Sequence, residues 1–168
     1  MGRVDDWQHC PRCATALEHA YQRVECRSCG FVSHSNSEPT VGALVTDGEG
    51  RLLLVRRAHD PYGGKWDVPG GFLDEGEAPL DALRRELREE TGLEIEPLEF
   101  VDVRIDRYGD GQDAATTLNL YWTARATGGN AVAGDDAAEL AWFPPDELPG
   151  EDEIGFPNVR ELLRVWRG

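Results

Sequence analysis

Glu86, Glu89 and Glu90 stand three and four residues apart, in a stretch whose apolar positions recur at helical spacing. On a helix, positions i, i+3 and i+4 share one face, so these carboxylates converge. Groups that close repel one another unless cations sit between them. Hard oxygen ligands at such density suit Mg²⁺ or Mn²⁺, with water and a phosphate oxygen completing the shell. Arg85 is the natural partner of Glu77, an ion pair that would pin the preceding loop onto the helix. Gly70 and Gly71, in the turn before it, can bring backbone carbonyls close to the same ions.

A second constellation lies near the start of the chain. Cys10-Pro-Arg-Cys13 and Cys26-Arg-Ser-Cys29 form C-x2-C-x12-C-x2-C. Two tight turns, each offering two thiolates, supply the four soft ligands of a tetrahedral Zn²⁺ site. Two disulfides or four unrelated buried thiols are the alternatives. Neither is favoured, because no secretory leader opens the sequence and isolated core cysteines do not arrive as matched pairs. His9, His19 and His34 read as surface or packing residues. A segment with so little core would take much of its folding free energy from the metal.

The elements that must position these groups follow from pattern. Residues 31–39 are small and polar and read as a linker. Residues 40–46 and 51–56 read as two strands joined by a turn at 47–50, a hairpin. Pro79 suits the first turn of a helix that runs to Thr91 and stops at Gly92, with Leu80, Leu83 and Leu87 as its apolar stripe. Strand-like segments return at 98–107, 116–126 and 140–143, separated by loops at 109–112 and 128–136. Residues 158–166 close the chain as an amphipathic helix with Val159, Leu162, Leu163 and Trp166 inward. The predicted organisation is a metal-bound module over 1–35 and an α/β body with a mixed sheet over 36–168.

Composition limits the partners. The chain has 168 residues, with 32 Asp and Glu against 17 Lys and Arg and a formal charge of −15. A general nucleic-acid binder needs the opposite balance, so no nucleic acid is expected as a partner. No apolar run is long enough to span a bilayer, and a cytoplasmic location without a membrane partner is expected. An acidic protein that handles polyanions needs divalent metal to reverse the local field. The acidic, lysine-poor composition fits a salt-adapted source and a GC-rich genome equally.

The stretch Gly71-x5-Glu77-x7-Arg85-Glu86-Leu87-x-Glu89-Glu90-x-Gly92-Leu93 resembles the Nudix box, G-x5-E-x7-R-E-U-x-E-E-x-G-U with U aliphatic, and fills every specified position. A chance match is on the order of 10⁻⁹ per starting point. The resemblance implies a Nudix-type α/β/α sandwich that hydrolyses a nucleoside diphosphate linked to another group X. It makes Glu86, Glu89 and Glu90 the ligands of the catalytic Mg²⁺ or Mn²⁺, with a carbonyl of Gly70 or Gly71 as a further ligand and Glu77–Arg85 as the supporting pair. Many members recruit one more carboxylate from a loop. Asp136 is the first candidate for that catalytic role and Glu139 the second, although both fit solvated loop acids as well. Arg56 and Arg57 are candidates for phosphate contact; Trp66 and Tyr108 could stack on a base or simply pack.

A four-cysteine zinc ribbon ahead of the box resembles the NADH pyrophosphatase and ADP-ribose pyrophosphatase branch. The Ser-Gln-Pro-Trp run of the NADH enzymes is absent; residues 108–117 read Tyr-Gly-Asp-Gly-Gln-Asp-Ala-Ala-Thr-Thr. The expected substrate is therefore ADP-ribose-like, with NADH less suited. A house-cleaning nucleoside triphosphate pyrophosphohydrolase and a non-catalytic ligand-sensing regulator are the alternatives. Zinc is expected to be structural, since four Cys ligands leave no open position. Pairing of the chain into a homodimer is compatible with the resemblance.

Overall fold

The computed structural model describes residues 4, 6–109, 114–134 and 136–167. It divides into two compact units, one of Met1–Glu38 with Arg107–Thr116 and one of Pro39–Asp106 with Thr117–Gly168.

The first unit carries a three-stranded antiparallel meander of β1 (Glu18–Ala20), β2 (Arg23–Glu25) and β3 (Val32–His34). Its two cysteine turns are built alike. Cys10 donates its N–H to the Thr15 carbonyl and accepts from Ala14 N–H, and Cys26 donates to Phe31 and accepts from Gly30. The fourth residue after each first cysteine must turn left-handed, which Gly30 does at φ 73° without cost and Ala14 does at φ 59° against its Cβ. The core here is small: Val4, Cys10, Leu17, Val24 and Cys26, with Phe31 packed against them. The expected linker over 31–39 is corrected at its middle. Val32–His34 pair with Arg23–Glu25 as the third strand, and the next strand already begins at Glu38. Polar composition hid a ladder that needs only backbone groups.

Among the described residues, the second unit is a seven-stranded sheet with one helix on each face. Its main path runs β10 (Ala137–Phe143), β5 (Leu52–Arg57), β4 (Glu38–Thr46), β9 (Ala115–Gly129) and β8 (Leu93–Tyr108), with β6 (Trp66–Asp67) on β5 and β7 (Gly70–Phe72) on β4. The pairings of β10 with β5, β5 with β4 and β6, and β4 with β7 are antiparallel. Four successive residues of β5, Leu52 to Val55, are buried, the mark of a strand covered on both faces.

Helix α1 (Pro79–Thr91) opens with Pro79 in its first turn and closes at Gly92, whose φ of 70° lets its N–H reach the Arg88 carbonyl. Its buried residues Ala82, Leu83 and Leu87 meet Val41, Ala43 and Val45 of β4, Leu53, Leu93, Ile95 and Ala124. Leu80, expected inward, lies in the first turn and stays exposed, and Ala82 takes its place in the stripe. Helix α2 (Pro157–Arg167) buries Val159, Leu162 and Leu163 and meets Tyr121 through Asn158. Leu120, Trp122 and Ala124 of β9 pack with the α1 core, so the alternation of a strand sends Tyr121 to the opposite face. That is the expected α/β class with helices on both faces of the sheet. The strands run longer than expected: β8 starts directly after Gly92, β9 extends to Gly129, and β10 begins at Ala137. Among the described residues no helix is long and apolar enough to cross a membrane.

Candidate active site

Two backbone approaches fix the acidic helix onto the sheet. A Cβ on Gly70 would lie 2.0 Å from the Val41 carbonyl oxygen, and one on Gly71 would lie 2.3 Å from the Glu86 carboxylate. The position of Gly70 therefore requires glycine, which lets β7 lie flush on β4, while at Gly71 the Glu86 carboxylate rests against the strand as α1 leans over it. Gly70 N–H then donates to Glu90 Oε2 at 2.9 Å. Glu86 and Glu90 are thereby gathered at the Gly70–Gly71 strand.

Arg85 organises the rest. Its Nε and Nη2 grip both oxygens of Glu77 at 2.9 and 2.7 Å, and Nη2 also donates to the Phe72 carbonyl at 3.0 Å. Glu77 Oε2 in turn accepts Asp74 N–H at 3.1 Å, so the loop from β7 to α1 is tied at two points. Nη1 of the same arginine reaches Glu86 at 2.7 Å and Glu89 at 3.1 Å. The expected pairing of Glu77 with Arg85 is present as a two-pronged bond, the strong form of such contacts. Convergence of the three glutamates is only partial. Glu86 and Glu90 turn to the glycine strand, whereas Glu89 stays exposed and is held by Arg85 one turn back. Like charges separate, and the guanidinium neutralises two of them.

The electrostatics follow from burial. Glu90 is pushed up to about 8, chiefly by burial and further by the charges of Asp67 and Glu86, against the pull of Gly70 N–H. Glu86 is also raised by burial, with Arg85 opposing. Glu77 is drawn down to about 2 by its bonds to Arg85 and Asp74 N–H. A carboxylate driven that high is short of positive charge. The oxygen-only donor set of Glu86, Glu90 and the nearby glycine backbone fits a hard divalent cation.

The remaining sequence candidates are placed less centrally. Arg57 is largely covered, with Nε on the Pro61 carbonyl at 2.7 Å, Nη1 3.5 Å from Asp67, and its guanidinium over the Phe156 ring. Arg56 pairs with Glu139 at 2.9 Å and lies 4.5 Å above the Trp66 ring. Trp66 itself is buried against Phe143, which makes it a packing residue and removes it as a base platform. Asp136 is exposed, with its carbonyl accepting Ala58 N–H at the end of β5. Tyr108 ends β8 half-buried. Of the loops expected at 109–112 and 128–136, residues 110–112 and Asp135 lie outside the described residues, as does Asp113.

Sequence reasoning missed Asp67, Tyr121 and Asn158. Asp67 is buried beside Arg57, and burial lifts its carboxyl to about 6. An acid inside the apolar run Trp66-Asp67-Val68 was the available signal. For Tyr121 and Asn158 a single sequence offers none.

At the second candidate metal site, the four sulfurs of Cys10, Cys13, Cys26 and Cys29 all lie within 4.8 Å of one another. Two pairs cross between the turns, Cys10 to Cys29 at 3.6 Å and Cys13 to Cys26 at 3.5 Å. All four are free thiols, so the disulfide alternative falls. A tetrahedron with Zn–S bonds of about 2.3 Å spaces its sulfurs at about 3.8 Å, close to what is seen. Thr15 draws the Cys13 thiol down to about 6, while, against the pull of Phe31, desolvation and the neighbouring sulfurs push Cys29 up to about 12, so the four sulfurs share their protons unevenly.

Residues 36–164 match the NUDIX domain. The chain belongs to the Nudix family. An ADP-ribose pyrophosphatase of Methanocaldococcus jannaschii is 34% identical over 134 residues, covering 74% of this chain and 75% of that protein. An 8-oxo-(d)GTP phosphatase of Mycolicibacterium smegmatis is 30% identical over 98% of this chain, which spans 48% of that protein's length. The NAD-capped RNA hydrolase NudC of Pseudomonas aeruginosa is 30% identical, with 92% of this chain and 52% of that protein matched. A Nudix hydrolase from Nitrosomonas europaea shares the fold at a TM-score of 0.79 over 95% of this chain and 90% of that one, with 23% identity. The chain thus joins a Nudix domain to an amino-terminal cluster of four cysteines.

Proposed function

We propose that this Nudix hydrolase is a divalent-metal-dependent pyrophosphohydrolase that cleaves a nucleoside diphosphate linked to X into a nucleoside monophosphate and X-phosphate, with ADP-ribose-like compounds as the substrate class. The observation that carries this reading is Glu90, a half-buried carboxylate held by Gly70 N–H and raised to about 8, beside Glu86 at a strand of bare glycine backbone. Glu86, Glu89 and Glu90, with a carbonyl of Gly70 or Gly71, would hold Mg²⁺ or Mn²⁺. When bound, the ions neutralise the diphosphate and make a water acidic enough to attack it.

The chain's own residues do the rest. Arg85, anchored on Glu77, orients Glu86 and keeps the loop closed on the helix. Arg57, fixed by Pro61, Asp67 and Phe156, is a pre-set cation that would meet the phosphates without reordering. Arg56, already engaged by Glu139 and Trp66, would contribute from the rim. Asp136, solvent-exposed, would accept the proton of the attacking water. The four cysteines would hold Zn²⁺ as a structural ion.

ADP-ribose, NADH and 8-oxo-dGTP turnover with Mg²⁺ or Mn²⁺, each with Glu90→Gln alongside, tests the reading. ADP-ribose should give AMP and ribose phosphate, and the variant should lose at least 100-fold in kcat. Equal rates for variant and parent would refute the assigned site. The second reading, a nucleoside triphosphate pyrophosphohydrolase, takes its substrate type, though not its bond of cleavage, from the 8-oxo-(d)GTP phosphatase of Mycolicibacterium smegmatis, which matches nearly the whole chain. Inorganic pyrophosphate as the released product would decide for it.

A further inference from the structure

Behind the glycine strand that holds Glu90, the sheet carries a stack with no part in the roles assigned so far. Tyr121, on β9, is buried, and its ring covers Gly42 of β4 so closely that a Cβ there would lie 2.7 Å from Cε1. Gly42 is the register partner of Gly70, whose N–H donates to Glu90. The phenol oxygen of Tyr121 accepts Asn158 Nδ2 at 3.0 Å, and Asn158 N–H in turn donates to Asp106 Oδ2 at 3.4 Å. From α2 to α1 the order is therefore Asn158, Tyr121, Gly42, Gly70, Glu90. Each contact is steric or hydrogen-bonded, and none leaves room for a side chain at either glycine.

We propose that Tyr121 is a positioning residue for the metal site: its ring, held at the phenol end by Asn158, clamps Gly42 and so fixes the Gly70 N–H that aims Glu90. The inference rests on the reading of Glu90 as a metal ligand. A flat ring is suited to the task, because it bears on the strand at Gly42, which carries no Cβ, and interiors packed at crystal density transmit small displacements. The hydrogen bond to Asn158 gives the ring one tilt. Without it, the ring can rock, and β7 follows β4 across their shared register.

Mn²⁺ binding to the full chain without substrate, followed by the loss of the free-ion paramagnetic resonance signal, is the primary test. Tyr121→Phe should keep the ring and lose the tether, weakening Mn²⁺ about threefold. Tyr121→Ala should weaken it about tenfold and lower kcat on ADP-ribose by a similar factor, with KM within twofold. The decisive arm is the double variant with Glu90→Gln. If Tyr121 acts through Glu90, the double variant binds Mn²⁺ no worse than Glu90→Gln alone. Effects that multiply, or a Tyr121→Ala protein with a lower Tm but unchanged Mn²⁺ affinity, would overturn the proposal. Should Tyr121→Ala not fold, Tyr121→Phe combined with Glu90→Gln answers the same question. A Glu90→Gln protein that binds Mn²⁺ like the parent would instead contradict the metal-site reading, and the positioning role would fall with it.

Discussion

The two candidate metal sites are built on opposite terms. Around the cysteines, the ligands are much of the fold: Cys10 and Cys26 are themselves core residues, alongside three apolar side chains and Phe31. Around the glutamates, the fold is complete without them. Ala82, Leu83 and Leu87 seat α1 on the sheet, and Glu86 and Glu90 lie at the border of that same stripe. One site assembles a unit; the other is displayed by one. The sulfurs accordingly stand within coordinating distance of each other, while the carboxylates are spread by charge and tied off by Arg85 and Gly70.

Breaking the comparison at the cysteine end should give the largest effect. Cys26→Ser, or treatment with a strong chelator, is expected to unfold residues 4–38 while the sheet and both helices persist, because structural zinc supplies folding free energy directly. Amide NMR resonances collapsing for that segment alone would show it. Loss of the whole spectrum would mean that the second unit depends on the first.

At the other end, the body should fail through its core rather than its ligands. Leu87→Ala removes a fully buried side chain between α1 and β4, at an expected cost of about 2–5 kcal/mol in denaturant unfolding. Glu89→Gln, by contrast, changes an exposed group and should leave the unfolding midpoint nearly unmoved.

The acids also store a pH dependence whose sign is fixed. Glu90 is raised in the folded state, from an ordinary value near 4.5 to about 8. The stability associated with its protonated form is complete below pH 4.5 and is lost as pH rises through 8. Metal-free Glu90→Gln should therefore melt higher than the parent at pH 8, with the gain disappearing toward pH 4.5. Glu77, lowered to about 2, behaves in the reverse sense: its stabilisation is present above pH 4.5 and is lost as pH falls toward 2. A melting curve for Glu90→Gln that matches the parent at pH 8 would show that burial does not strain this carboxylate. The smallest effect is expected from Glu139→Gln, which breaks the half-exposed pair with Arg56 and should cost under about 1 kcal/mol.

What could be read from residues alone follows the same division. The cysteine spacing and the box were legible because each is local: two turns, or one helix and the loop before it. The helix limits at Pro79 and Gly92 were legible for the same reason, since capping is decided within a turn. The third strand of the first unit was not, because Val32-Ser33-His34 becomes a strand only by pairing with β2. Leu80 looked apolar and inward, and only the angle at which α1 meets the sheet turns it outward. Asp67, Tyr121 and Asn158 were invisible as a set because they come from β6, β9 and α2, and register brings them near one another. The sequence also could not show that Arg85 would bind three glutamates at once, leaving Glu89 exposed.

The account stands on Glu86 and Glu90 as holders of a hard cation at the glycine strand. Crystals of the protein soaked in Mn²⁺ and measured near the manganese absorption edge would locate that ion directly. An anomalous peak between Glu86, Glu90 and a carbonyl of Gly70 or Gly71 is the predicted result. A fully loaded crystal with no peak there, or with manganese only at unrelated surface acids, would contradict it.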